Sequence, residues 1–355
     1  MKQSEKDYKR IVVKIGSSLL YSDGINLDFK ILNDVAEQVI RLIKDGKEVL
    51  IVSSGAIACG MSILRLASRP KELSTLQAIA AIGQHELMNV YRESFKKRGL
   101  NCAQVLLTWE DFDNRKRYLN AKNTLITLLR LGSVPIINEN DTVSTDEIKF
   151  GDNDRLSALV SSLISADILI ILSDVDGLLD KDKKTLIRVV FEITPQIKSL
   201  VFPTDKKICV GGMITKIEAA NIAVDSGIPC VIANGRKPDI ILSILKDIEK
   251  HGTLFLPKKA LGAKKRWIAF GAKPRGKVIV DEGAKNALLN KKSLLCVGVI
   301  AVEGSFEAGD IVRVQDLQHN EFARGKVGIS SKQLDKIKGR RFDKEAIHCD
   351  NIVIK

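Results

Sequence analysis

The sequence predicts an α/β domain, with a mostly parallel sheet sandwiched by helices, followed by a small β-rich module. Three observations predict it. Short apolar runs alternate with segments of helical periodicity over the first 250 or so residues of a 355-residue chain. Those runs are apolar throughout instead of alternating with polar residues, as expected of parallel strands covered on both faces. Near Lys258 the character changes to a basic stretch, "PKKALGAKKRW", and then to short strand-like runs separated by glycines. The expected division is a catalytic-sized domain over 1–258, a linker over 259–273 and a small domain over 274–355.

In chain order, "RIVVKIG" (10–16) reads as a buried strand, and residues 28–44 carry helical spacing through Phe29, Leu32, Val35, Val39 and Leu42. "EVLIVSSG" (48–55) is a second strand, 74–97 a long helix, and "CAQVLLT" (102–108) a third strand. A helix near 117–130 and the strand "SVPIIN" (133–138) follow. The acidic stretch "NENDTVSTDEIKFGDND" leads into a helix near 154–164. "ADILIILSDVDGL" (166–178) gives a fifth strand and a turn. "GGMITKIEAANIAVDSG" (211–227) is a glycine turn and a helix, "IPCVIANG" (228–235) a sixth strand, and a helix near 238–249 closes the set. The small module has strand-like runs in "GKVIVDEG", "LLCVGVIAVEG", "GDIVRVQD" and "ARGKVGIS".

Hydrophobic residues make up 45% and charged residues 28%, ordinary for a soluble globular protein with a real core. No apolar run approaches the roughly 18 to 20 residues of a membrane span, and "MKQSEKDYKR" is no signal peptide. The six cysteines (59, 102, 209, 230, 296 and 349) form no CxxC pair, which fits free thiols in a reducing, cytoplasmic compartment. The four histidines show no metal-ligand spacing, and no protein metal site is expected. Net charge is +13, and residues 262–355 carry 19 Lys+Arg against 11 Asp+Glu, a net of +8. That excess makes an anionic partner such as RNA conceivable for the small module, although aromatic residues for base stacking are sparse.

Ligands of parallel sheets bind beyond the carboxyl ends of the strands, so the strand-end residues are the ones to inspect. "KIGSS" places Lys14 at the end of an apolar strand, with Gly16 in the following turn, and "VSSGA" places Ser54 and Gly55 after the next. Such glycine turns let backbone N–H groups approach phosphate or carboxylate oxygens. Ser173, Asp174 and Gly177 follow the most apolar strand. Lys216 falls in the first turn of a helix, where a cation opposes the helix dipole and calls for an anion beside it.

These stretches carry a resemblance. "VVKIGSSLL", "IVSSGAIACGM", "LQAIAAIGQ", "PIINENDTV", "FGDNDRLSALV", "LSDVDGL", "GGMITKIEAA" and "GTLF" resemble the glutamate 5-kinase branch of the amino acid kinase family. "RGKVIVDEGAKNAL" and "ARGKVGISS" are similar to the PUA domain that many bacterial members carry. The resemblance implies the amino acid kinase fold and phosphoryl transfer from ATP to L-glutamate, the first step towards proline. It further implies Mg²⁺ dependence, proline as a feedback inhibitor, and a homo-oligomer. Carried over residue by residue, it gives Lys14, Lys216 and Asp154 catalytic roles, with Asp154 holding the two lysines. It makes Ser54, Asp141 and Asn153 the glutamate-binding residues: Asp141 for the ammonium, Ser54 and Asn153 for the carboxylates. It places the nucleotide against Lys14, Gly16, Ser173, Asp174, Val210, Gly211, Gly212, Met213, Ile214, Thr215 and Lys216. One departure stands out: Cys209-Val210 occupies the position of the family's usual Gly-Thr, which removes a hydroxyl and stiffens the turn. Asp146 and Glu147 are expected in a hairpin or lid over the pocket.

Overall fold

Runs of Ile, Val and Leu become strands here because both of their faces are covered. The computed structural model describes residues 7–20, 28–144, 153–201, 212–257 and 261–354. The chain divides into two units, Met1–Asp111 with Arg115–Ala260, and Phe112–Asn114 with Leu261–Lys355.

Among the described residues the first unit holds β1 (Arg10–Ile15), β2 (Glu48–Ser53), β3 (Asn101–Leu107), β4 (Ser133–Glu139), β5 (Ile168–Ser173), β6 (Val189–Val190), β7 (Cys230–Asn234) and β8 (Thr253–Phe255). They form one sheet in the order β3-β4-β2-β1-β5-β7-β8-β6. Every neighbouring pair is parallel except β7 and β8. The chain winds outward from β1 through β2 to the β3 edge, then returns to β5 on the other side of β1. That reversal makes the carboxyl end of β1 a topological switch point, where a crevice opens for ligands.

The helices accompanying these strands are α1 (Phe29–Lys44), α2 (Ala56–Ile63), α3 (Leu73–Lys96), α4 (Trp109–Asp113), α5 (Arg115–Arg130), α6 (Asn153–Ile164), α7 (Pro195–Ser199), α8 (Met213–Asp225) and α9 (Ile240–Lys246). Side chains alternate across a strand. Ile11, Val13 and Ile15 of β1 therefore enter one core with α1, α3 and α9, through residues such as Leu32, Tyr91 and Ile241. Val12 and Lys14 face the opposite layer. The short α2, α4, α7, β6 and β8 were not expected from the sequence. α2 packs along α3 so closely that a Cβ on Gly60 would lie 2.0 Å from the Ile79 carbonyl oxygen, and one on Gly83 1.9 Å from that of Ala56.

The second unit has a five-stranded sheet in the order β10-β9-β11-β12-β13. Its strands are β9 (Gly276–Val280), β10 (Val299–Gly304), β11 (Ile311–Gln315), β12 (Glu321–Lys326) and β13 (Ile352–Ile354). α10 (Ala263–Arg266), α11 (Glu282–Leu289) and α12 (Ser331–Ile337) belong to it. Val278, Val280, Leu294, Phe306, Val312, Val314 and Ile347 make a separate core. Residues 263–271, expected within the linker, are helical, and Trp267 and Ile268 are buried there, which gives their apolar side chains cover. Among the described residues no helix is long and apolar enough to cross a membrane, and Cys59, Cys102, Cys230, Cys296 and Cys349 are free thiols.

Candidate functional site

Three ionisable side chains meet beyond the end of β1. Lys14 is its fifth residue, registered against Val52 of β2 and Ile171 of β5, and only 4% exposed. Asp154, in the first turn of α6, is 2% exposed, and Lys216, in the first turn of α8, is 5% exposed. Lys14 Nζ lies 2.5 Å from Asp154 Oδ1, and Lys216 Nζ lies 3.3 Å from Asp154 Oδ2. Thr215 Oγ1 donates to the same Oδ2 at 2.7 Å. Burial would raise the Asp154 pKa, but Lys14 and Lys216, with hydrogen bonds from Lys14 and Thr215, hold it below the ordinary carboxylate value. Burial lowers the Lys216 pKa, and the neighbouring Lys14 charge adds to that against the opposing pull of Asp154. Two buried ammonium groups thus share one buried carboxylate, beside the amino terminus of a helix whose dipole also favours an anion.

A second cluster lies at the ends of β2 and β4. Ser54 follows β2, and its backbone N–H donates to the Ile15 carbonyl. Asn153 opens α6, and its Nδ2 reaches Asn138 Oδ1 at 2.9 Å, Ser54 Oγ at 3.1 Å and the Ser53 carbonyl at 3.3 Å. Asn138, within β4, passes its own Nδ2 to Gln84 Oε1 of α3 at 2.7 Å. All three amides are buried. Asn153 Oδ1 and Gln84 Nε2 have no hydrogen-bond partner among the described residues. Asp141 stands just past β4, half-buried, and burial lifts its pKa to about 6 against the opposing influence of Arg69.

A third group flanks the first. Gly16 donates its N–H to the Leu172 carbonyl at 3.0 Å. A Cβ there would sit 3.2 Å from that oxygen and 3.6 Å from Lys14 Nζ, so glycine keeps the backbone close beside the lysine. Asp174 Oδ1 accepts from Ser18 Oγ and Ser173 Oγ, each at 3.0 Å. Burial opposes these bonds, yet they hold the Asp174 pKa down, helped by its own backbone N–H and by Lys216. Gly212 is the N-cap of α8, and Met213, Ile214, Thr215 and Lys216 are its first turn.

The structure thus brings Lys14, Asp154, Thr215 and Lys216 together, sets Ser54 beside Asn153, and puts Ser173 and Asp174 at the adjoining strand end. Val210 and Gly211, like Cys209, Asp146 and Glu147, lie outside the described residues. Sequence reasoning missed Gln84 and Asn138, and it did not foresee the Thr215 hydroxyl on Asp154. A signal was present for the two amides: each is a polar residue inside an apolar pattern, on a helix and on a strand.

Residues 9–234 match the Amino acid kinase family, and residues 276–348 match the PUA domain. The chain belongs to the amino acid kinase family. Similar curated proteins named Glutamate 5-kinase come from Thermoanaerobacter sp. (strain X514), 46% identical, with 97% of each chain covered. Those of Syntrophotalea carbinolica and Geobacter sulfurreducens bear the same name and are 42% and 44% identical, each alignment spanning 98% of this chain and 97% of the relative.

Proposed function

We propose that the chain transfers the γ-phosphoryl group of ATP to the side-chain carboxylate of L-glutamate, giving glutamyl 5-phosphate, the first step of proline biosynthesis. The observation that carries this reading is the pair of buried lysines on one carboxylate, next to a cluster of buried amides. Polyanion binding beside Lys14 and Lys216 supplies the counter-charge that the lysines lack, and the amide cluster suits a small polar acceptor. The names of the relatives support glutamate as that acceptor.

The acceptor is a carboxylate, already anionic at neutral pH, so no general base is required. The barrier lies in bringing two anions together and in the charge that develops on the transferred group. Lys14 and Lys216 lower it by electrostatic stabilisation, each held in place by Asp154. Ser173, Asp174 and the first turn of α8 from Gly212 face the nucleotide, with Val210 and Gly211 preceding them. Asp154 is engaged by two ammonium groups and a hydroxyl. Mg²⁺ in this site would therefore be carried chiefly by phosphate oxygens and water. When bound it supplies further neutralisation of phosphate charge. Proline, an amino acid without the second carboxylate, would act as a feedback inhibitor near the same acceptor pocket, and homo-oligomerisation accompanies this reading.

Purified protein should release ADP only when L-glutamate, ATP and Mg²⁺ are all present, and hydroxylamine should trap the acyl phosphate. Absence of glutamate-dependent turnover would overturn the reading, and turnover with aspartate, acetylglutamate or UMP in its place would redirect it to a sister activity. A secondary role in RNA binding draws support from the +8 charge of residues 262–355. A gel-shift affinity independent of salt would end that idea.

A further inference from the structure

We infer that Gln84 is a positioning residue: through Asn138 it locks the Asn153 amide so that its carbonyl oxygen, an acceptor, meets the ammonium of the amino-acid substrate. This inference rests on the function proposed above and assigns Asn153 to the ammonium instead of the carboxylates.

Two backbone groups fix the amides. The Glu139 N–H donates to Asn138 at 2.9 Å, so the atom that receives it is an oxygen. The other corner of Asn138 is then its NH₂, which needs an acceptor, and Gln84 Oε1 at 2.7 Å is that acceptor. Asn138 Oδ1 must in turn be met by a donor from Asn153, and the Ser53 carbonyl, itself only an acceptor, makes the same demand at 3.3 Å. Both place Nδ2 of Asn153 against the strand ends. Asn153 Oδ1, at the other corner of the planar amide, is buried and lacks a partner among the described residues. A buried acceptor without a donor is costly. Carboxylates have no hydrogen to give at neutral pH, and the ammonium is the sole donor on glutamate.

Gln84 Oε1 secures the sense that these backbone groups set, by meeting the Asn138 NH₂. Were its own amide reversed, it would present a donor to Asn138. Asn138 would then have to turn its oxygen away from the Glu139 N–H, and Asn153 would lose the contact that orients it.

The test compares L-glutamate with glutarate, which lacks the amine, as ligands of the full chain by calorimetry. In the wild type glutamate should bind more tightly. In Gln84→Met that preference should shrink about tenfold, the value of one charge-assisted hydrogen bond, through weaker glutamate binding with glutarate affinity unchanged. Gln84→Glu, which keeps the acceptor, should restore the preference to within about twofold of wild type. An undiminished preference in a folded Gln84→Met, or equal loss for both ligands, overturns the inference. Should Gln84→Met fail to fold, the wild type still decides. 2-Hydroxyglutarate, which offers an O–H, should displace glutamate better than 2-oxoglutarate, which offers only an acceptor, and the reverse order overturns the relay. A wild type that turns over glutamate while these outcomes fail leaves the proposed function standing. One that neither binds nor phosphorylates glutamate removes that function itself.

Discussion

Removing the Asp154 carboxylate leaves two buried ammonium groups without their shared counter-charge. Asp154→Ala should therefore cost about 3 to 5 kcal/mol in chemical denaturation, and ATP should restore part of it. Lys14→Ala and Lys216→Ala act differently, since each relieves repulsion while removing, in the proposed reaction, a donor to the transferred group. Each should lower kcat about 100-fold or more in a coupled ADP assay, with a much smaller effect on stability. Asp141 gives a pH signature. With its pKa lifted to about 6, it is protonated at lower pH and loses its attraction for an ammonium. The KM for glutamate should rise as pH falls through 6, and Asp141→Asn should raise KM at neutral pH and abolish that dependence. Stability runs the other way: the folded state holds this proton more tightly than the unfolded chain, so the group weakens the fold as pH rises from 3.8 through about 6.

At the scale of elements, the α2–α3 contact positions the Ser54 turn. Gly55, with φ of 107°, is the N-cap of α2. Gly60 and Gly83 let the two backbones approach within a distance no side chain permits. Gly83→Ala should push them apart, lowering stability by about 1 to 3 kcal/mol and raising the KM for glutamate more than that for ATP. This contact also explains what the sequence hid. "AIACGMSI" has no clear polar face and an internal glycine, so α2 exists through packing and not through propensity. β6 and β8, of two and three residues, are too short to show a period. By contrast β1, β5 and α1 were legible because continuous burial or a strong apolar stripe is written in their residues. At the site, Lys14 was legible as a cation ending an apolar strand and Lys216 as one opposing a helix dipole. Gln84 showed only as a polar residue at an apolar position of a helix, and what it bonds is set by its neighbours in space.

Across the whole molecule, the two-unit organisation was visible in the change of composition near residue 258, while the assignment of residues 263–271 to the second unit depends on where Trp267 is buried. Within the first unit, α6 links the two halves of the proposed reaction. Its first two residues, Asn153 and Asp154, diverge by about 100° around the helix axis. One bonds Ser54, on the proposed acceptor side, and the other holds the lysines. A single rigid helix end therefore works as a gauge block between donor and acceptor. Seating either substrate firms the block for the other, so ATP analogues should tighten glutamate binding, and glutamate should tighten the analogue by the same factor. A shared factor well above one in paired titrations would reveal the gauge, and a factor of one would show that each half is set on its own.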